Sequence, residues 1–336
     1  MAPGFLIEQG EGLMVRSLVL IALAGILTGA VAPKIKVVEP DYHVISGSVP
    51  LDKGPDGNST FLDAPEGLIL VDTGRHPEHA EKLLAYAKGR GQPIAAIVNT
   101  HWHLDHTTGN LDIRQAYPAA NVYATTAIEG ALKGFLARSK ELAAKRLADP
   151  GTPADQKAQI LRGQYRIEHP DSLRATAPVT KSGSMKVAGR KLDVHVAAFA
   201  ATEADLWLYD PKARLAIVGD LVVDIVPFMD TACPDGWKKA LEEVAATPFA
   251  TLIPGHGAPM NRPQFLQWKG AFDHFVDCGR STRPKEECIA GWQRDAAPFI
   301  DEAHRQYVGQ AAAYYLETRL RSSPGEQQKY CRPLTA

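Results

Sequence analysis

Three histidines and an aspartate fall within six residues of this chain, in the order His101, His103, Asp105, His106. Neutral imidazoles at alternating positions of an extended segment project the same way and can share one ion. Asp105 and His106 then face a second ion beside it. Nitrogen and oxygen donors of this kind suit first-row divalent metals, zinc above all. The chemistry such a centre offers is metal-assisted hydrolysis, because a bound cation lowers the pKa of water from 15.7 towards about 7. The competing reading is a solvated loop that happens to be rich in histidine, since short motifs carry false positives. Further along, Asp220 follows Val218-Gly219, and His256 sits between Gly255 and Gly257. Alone, Asp220 reads as a turn residue and His256 as a loop histidine.

The elements around these residues must bring them together. Leu68 to Val71 is an apolar run ending in Asp72-Thr73-Gly74. Pro77 opens a helix with Leu83, Leu84 and Ala87 on one face, stopped near Gly89 and Gly91. Ile94 to Asn99 is the next strand. This β-α-β unit delivers the chain into Thr100–His106 at the carboxyl end of a strand, where ligands gather in α/β folds. Upstream, short alternations at 42–49 and 59–62 flank the turn-rich stretch 53–58, which is hairpin chemistry. Downstream the pattern predicts a helix over 109–117, a strand over 121–124, and two helices within 126–169 separated by Asp149-Pro150-Gly151-Thr152-Pro153. Strands follow at 185–187, 191–196, 206–209 and 215–218, then a helix over 237–246 and a strand at 251–253 leading to His256. Beyond about 263 the chain reads as helix with one interruption near 280–284. Two βα-type halves of this kind form a sheet sandwich with helices outside.

The run Thr100-His101-Trp102-His103-Leu104-Asp105-His106 resembles the H-x-H-x-D-H signature of the metallo-β-lactamase superfamily. Leu70-Val71-Asp72-Thr73-Gly74 is similar to its upstream turn, whose aspartate supports the metal shell. Val218-Gly219-Asp220 resembles the strand end whose aspartate bridges two metals, and Pro254-Gly255-His256-Gly257 resembles the late histidine of the second site. The likeness spans about 42 to 257. It implies an α/β fold, an αββα metallo-β-lactamase sandwich, here with a helical insert and a helical C-terminal extension. It also implies a site at one edge of the sandwich. The metal ligands implied are His101, His103, Asp105, His106, Asp220 and His256, with Asp105 also orienting the nucleophile and carrying a proton.

One position departs from the pattern. Where the family places a third histidine of the first site, the aligned stretch Phe199-Ala200-Ala201-Thr202-Glu203-Ala204-Asp205 has Ala201. The expectation is therefore one or two zinc ions, with the second site (Asp105, His106, His256, Asp220) tighter than the first (His101, His103, Asp220). Glu203 and His195 are weaker candidates to replace the missing ligand. The implied substrates are esters, lactones, thioesters or related bonds, in the manner of the glyoxalase II and lactonase branches. A reading from another class is a metal- or ligand-binding protein that kept the fold and lost efficient turnover; Ala201 favours it and the retained Asp105, Asp220 and His256 oppose it.

Composition bounds the rest. The chain has 336 residues, 45% hydrophobic and 22% charged, with a formal net charge of −1. That charge gives no electrostatic footprint for nucleic acid, so the expected partner is a small-molecule substrate. Met14-Val15-Arg16, an apolar run over 18–27 and Ala30-Val31-Ala32 read as a secretory signal peptide over 1–32, with an upstream start extension before Met14. The expectations that follow are a chain exported to the bacterial periplasm and no stable membrane span after cleavage. A metallo-β-lactamase-fold domain over 33–262 and a helical extension over 263–336 complete the expected organisation, the latter packing against the core or another subunit, with a lid over the site as the alternative. The four cysteines are even in number, and Cys278 and Cys288 flank a turn-rich link that pairs them.

Overall fold

Alternation along one strand sorts this molecule into layers. The structure, a computed structural model, describes residues 41–50 and 54–332; the signal-peptide expectation lies outside them. In strand β3 (Gly67–Val71), Ile69 and Val71 point into the space between two sheets, while Leu68 and Leu70 point outward under helices. The first sheet runs in the order β1 (Tyr42–Ile45), β2 (Ser59–Ala64), β3, β4 (Ile94–Val98), β5 (Asn121–Ala124), β6 (Ala177–Pro178). Its first three strands are antiparallel, and β3 to β6 are parallel. The second sheet has the spatial order β12 (Met260–Asn261), β11 (Thr251–Pro254), β10 (Leu215–Gly219), β9 (Ala204–Asp210), β8 (Arg190–Ala198), β7 (Gly183–Val187). Here only β10 and β11 are parallel.

Leu62, Ile69, Val71 and Val98 of the first sheet meet Leu192, Val194, Leu208 and Ile217 of the second in one buried cluster. Fully burying each such side chain contributes about 1.5–3 kcal/mol, and the clustering holds the sheets face to face. Outside the first sheet lie α1 (Pro77–Arg90), the short α2 (Leu104–Thr107) and α3 (Asn110–Ala116). The arrangement is the expected αββα sandwich, with α4 (Ile128–Lys133), α5 (Phe135–Ala148) and α6 (Ala154–Glu168) inserted after β5.

Outside the second sheet, α7 (Pro234–Ala246) and α8 (Arg262–Gly279) pack Trp237, Phe265, Trp268 and Phe272 onto Trp207, Val218 and Leu252. Asn261 caps α8 through a capping box with Gln264. The chain then forms α9 (Lys285–Asp295), α10 (Arg305–Tyr315), a π turn over Leu316–Leu320 and α11 (Pro324–Gln328). Val308, Ala312 and Leu316 join the same cluster as α7 and α8. All four cysteines pair, Cys278 with Cys288 as the turn-rich link suggests, and Cys233 with Cys331. Among the described residues no helix is long and apolar enough to cross a membrane.

Three element boundaries differ from the sequence reading. The 126–169 insert holds three helices, because Gly134 adopts φ −106° and ψ −101° and splits the first. The segment expected to stay a loop through His106 turns helical at Leu104, so Asp105 and His106 sit on α2. The C-terminal region is interrupted several times, at 280–284, by two 3₁₀ turns over 297–304 and by the π turn. Apolar periodicity reports which residues face a core but not where a helix tightens or widens.

Candidate metal centre

The six residues singled out by type and spacing converge at the carboxyl ends of β4, β10 and β11. His101 and His103 follow β4, Asp105 and His106 ride on α2, Asp220 directly follows β10, and His256 follows β11. All six side chains are buried, at 0 to 8% exposure. His101 Nε2 and His103 Nδ1 lie 3.5 and 3.8 Å from Asp220 Oδ2. On the other side, His106 Nε2 is 3.1 Å from Asp220 Oδ1, and His256 Nε2 is 3.1 Å from Asp105 Oδ2 and 3.5 Å from Asp220 Oδ1. Donor atoms of His101, His106 and Asp220 fall within 4.8 Å of one another, as do those of Asp105, His106 and His256.

Hydrogen bonds behind the cluster decide which nitrogen of each ring faces in. Thr100 gives its single hydroxyl proton to Asp72 Oδ2 at 2.7 Å, so it can only accept from His101 Nδ1 at 3.0 Å. That leaves His101 Nε2 as a bare lone pair. Thr231 gives its proton to the Ala201 carbonyl at 3.0 Å and therefore accepts from His103 Nε2 at 3.0 Å, freeing His103 Nδ1. His106 donates Nδ1–H to Asp72 Oδ2 at 2.8 Å, which turns Nε2 towards Asp220 Oδ1 and His256 Nε2, at 3.1 and 3.3 Å. His101 and His103 thus aim lone pairs at Asp220, and His106 presents a nitrogen whose proton a cation would displace. Neither His101 Nε2 nor Asp220 Oδ1 makes a hydrogen bond, although both are buried. Unpaired lone pairs converging in a dry site cost several kcal/mol unless a cation sits among them. The donor set fits a divalent metal on both counts, orphaned acceptors and fixed tautomers.

The charges agree. Burial opposes a charged His106, but Asp220, Asp72 and Asp105 together pull its pKa well above the ordinary histidine value. Burial likewise works against His256, and Asp220 and Asp105 raise it. Asp105 and Asp220, despite burial, are held well below the usual carboxylate range by His106 and His256. A pocket that draws protons onto its histidines is one from which a cation displaces them.

Backbone geometry makes the approach possible. Asp72 sits at φ 59°, a strained conformation for a residue with a side chain, while accepting from Thr100 N and Oγ1 and from His106. Gly57 donates its N–H to the Asp105 carbonyl, and a Cβ there would stand 2.3 Å from the His106 ring. Asn58 donates to the carbonyls of Pro254 and Gly257, at 2.9 Å each, and so pins the loop that carries His256.

Residues outside the sequence motif complete the site. Arg75 Nη2 lies 3.5 Å from Asp105 Oδ1 and lines the cavity over the cluster. Asp56 accepts the backbone N–H groups of Arg75 and His76 and the His76 ring. Sequence reasoning missed Thr231, Arg75, Asp56 and Asn58; only Arg75, directly after the Asp72-Thr73-Gly74 turn, carried a positional hint. Ala201 is buried in the apolar cluster outside the second sheet and touches the site through its carbonyl. Glu203 accepts the Trp102 indole N–H at 2.9 Å, and His195 stacks on Trp207 at 3.7 Å. The cavity measures about 910 Å³ and reaches His103, Asp105, Asp220 and His256.

Comparison with known proteins places this geometry. A family model described as the metallo-beta-lactamase superfamily matches residues 53–256. A linear primary-alkylsulfatase from Pseudomonas sp. is 27% identical over 224 residues, 60% of this chain and 41% of that protein. A hydroxyacylglutathione hydrolase from Synechococcus sp. is 41% identical over 58 residues, 17% of this chain and 23% of that protein. The chain thus spans less than half the length of these curated relatives. The solved structure of a double mutant of the sec-alkyl sulfatase PisA1 shares the fold, with a TM-score of 0.56 at 17% identity over 77% of this chain and 47% of that one. With the family model covering most of the described residues, the chain belongs to the metallo-beta-lactamase superfamily, a superfamily of metal-dependent hydrolases.

Proposed function

We propose that this protein is an exported, zinc-dependent hydrolase that cleaves an ester, lactone, thioester or related bond such as a sulfate ester. The observation that carries the reading is the inward aim of three imidazole nitrogens, each fixed by a hydrogen bond on its far nitrogen. Asp105, His106, His256 and Asp220 would hold one ion, and His101, His103 and Asp220 a second, weaker one. When bound, such ions supply acidified water and polarise the electrophile.

The chain's own residues do the rest. Asp105 turns Oδ2 to His256 and Oδ1 to Arg75, at the cavity edge, where it accepts the proton of the attacking water. Arg75, its side chain 25% exposed, lines the cavity and holds the polar head of the substrate near the cluster. Trp102 and Phe228 pack edge-on against the His103 ring, at 4.6 and 5.2 Å, and exclude bulk water from that side. The alkylsulfatase similarity supports adding sulfate esters to the substrate classes. Two disulfides that use all four cysteines support an oxidising compartment and hence export.

The test is turnover of p-nitrophenyl esters, a lactone, a thioester and p-nitrophenyl sulfate by protein stripped with chelator and then reloaded with zinc. The reading expects activity only after reloading. A protein that binds zinc tightly and turns over none of these would instead be a binding member of the fold.

A further inference from the structure

The cavity over the metal cluster continues away from it as a trough, and its walls are more apolar than hydrolysis alone requires. One wall is the α5–α6 hairpin. The lining runs along α5 from Phe135 to Arg146 and along α6 from Ile167 back to Gln156; it is apolar on α5 at Leu136 and Leu142, and on α6 it interleaves Ile160 and Ile167 with Gln159 and Gln164. At 1.5 Å per residue each stretch is about 16 Å long. The near end is fixed beside the site, because Leu136 and Ile167 pack with Trp102, the residue between His101 and His103. Further out, Leu142 lines the trough and is 64% exposed among the described residues.

The facing wall is the segment after Asp220. Val223, Ile225, Val226 and Phe228 line it, together with Tyr315 from α10. Ile225 is a β-branched residue held at φ 50°, and the Trp292 indole donates to its carbonyl at 2.8 Å. Such strain persists only where surroundings enforce it, so this wall has a fixed shape. Hydrolytic atoms therefore occupy one end of a trough whose length and chemistry suit a hydrocarbon chain.

Resting on the hydrolase reading above, we infer that the substrate is an amphiphile. Its cleavable head lies at the metal cluster beside Arg75, and its alkyl or acyl chain lies between the α5–α6 hairpin and residues 223–228. With carbon–carbon bonds of about 1.5 Å advancing in a zigzag, roughly a dozen carbons fill the trough before the chain emerges near Arg146. The α5–α6 hairpin is thus the specificity element for chain length.

The experiment is a chain-length series with the zinc-loaded full chain: p-nitrophenyl acyl esters from C2 to C14 and n-alkyl sulfates over the same range, below their micelle concentrations. Fully burying one methylene is worth roughly fourfold in affinity and half-burying it roughly twofold. kcat/KM should therefore climb about 250-fold from C2 to C10, mostly through KM, and level off near C12. Leu142→Asn and Ile160→Asn, on the trough walls, should flatten that slope, and Leu161→Asn, an exposed leucine outside the lining, should leave it intact. Zinc-dependent turnover of short and long members at equal efficiency would overturn the amphiphile inference and leave the hydrolase reading standing. No turnover of any member by metal-replete protein would overturn this inference, and the hydrolase reading would fall with it if the lactone and the thioester were also left uncleaved.

Discussion

Replacing Thr231 by valine keeps the shape of the side chain and deletes one hydroxyl. Thr231 is fully buried, and its hydroxyl both donates to the Ala201 carbonyl and accepts from His103 Nε2. Valine leaves that carbonyl and that N–H unpaired, at about 1–3 kcal/mol each, so unfolding free energy should fall by about 2–6 kcal/mol. The functional loss is more specific. Without an acceptor at Nε2, His103 is free to move its proton to Nδ1, the nitrogen that faces Asp220, and metal affinity falls. Losing a partner of this kind costs about 10- to 100-fold in affinity. The loss should fall on the ion held by His101 and His103, since Thr231 touches none of Asp105, His106 or His256. A competitive chelator titration resolving two binding constants reads this directly. Thr231→Ser, which restores the hydroxyl, should stay near the parent value. If Thr231→Val bound both ions with parental constants, or lost both equally, the tautomer argument would be refuted.

Gly57→Ala should disable the other half of the site, because the new Cβ meets a His106 ring already tied to Asp72; overpacking costs about 1–3 kcal/mol, and zinc stoichiometry should drop in a folded variant. Ala201 packs in the apolar cluster outside the second sheet, so Ala201→His should cost about 1–3 kcal/mol by overpacking and leave the bound metal count unchanged by equilibrium dialysis; a raised count would mean that position 201 faces the first site. Burial pushes the Asp205 carboxyl up to about 7, despite its bonds from Thr202. A raised folded pKa means the folded state holds this proton more tightly, so the group's stabilisation is full below its unfolded value near 3.8 and is lost as pH rises through about 7. Asp205→Asn should therefore gain stability relative to the parent between pH 4 and 8, by at most about 4 kcal/mol, in denaturation of the metal-stripped proteins. Cys331→Ser opens a bridge spanning 98 residues and should cost about 2–5 kcal/mol, whereas opening Cys278–Cys288, spanning 10, should cost less; equal losses would contradict the loop-closure argument.

Much of this centre was legible in the sequence, for a definite reason. Imidazoles and carboxylates at alternating positions are expensive to bury, so their pattern advertises chemistry. Likewise, the unbroken apolar run of Leu68 to Val71 and the helix face of Leu83 and Ala87 are packing demands written in residue type. Thr231 was not legible, because a single threonine in a loop gains its role only from a carbonyl and an imidazole that are 30 and 128 residues away. Asn58 was hidden in the same way, reaching Pro254 across 196 residues. The break at Gly134 and the helical turn at Leu104 escaped because local periodicity does not report where tertiary contacts take over. The Cys233–Cys331 pair was equally hidden, since nothing near either cysteine in the chain points to the other.

The central claim is that residues distant in sequence grip a divalent cation in a pre-built pocket. Elemental analysis of the purified, folded protein, combined with anomalous diffraction at the zinc edge, tests it most directly. The account expects at least one zinc among Asp105, His106, His256 and Asp220, and a second, more easily lost, beside His101 and His103. A well-folded protein that carries no transition metal, and takes up none when zinc is offered, would contradict it.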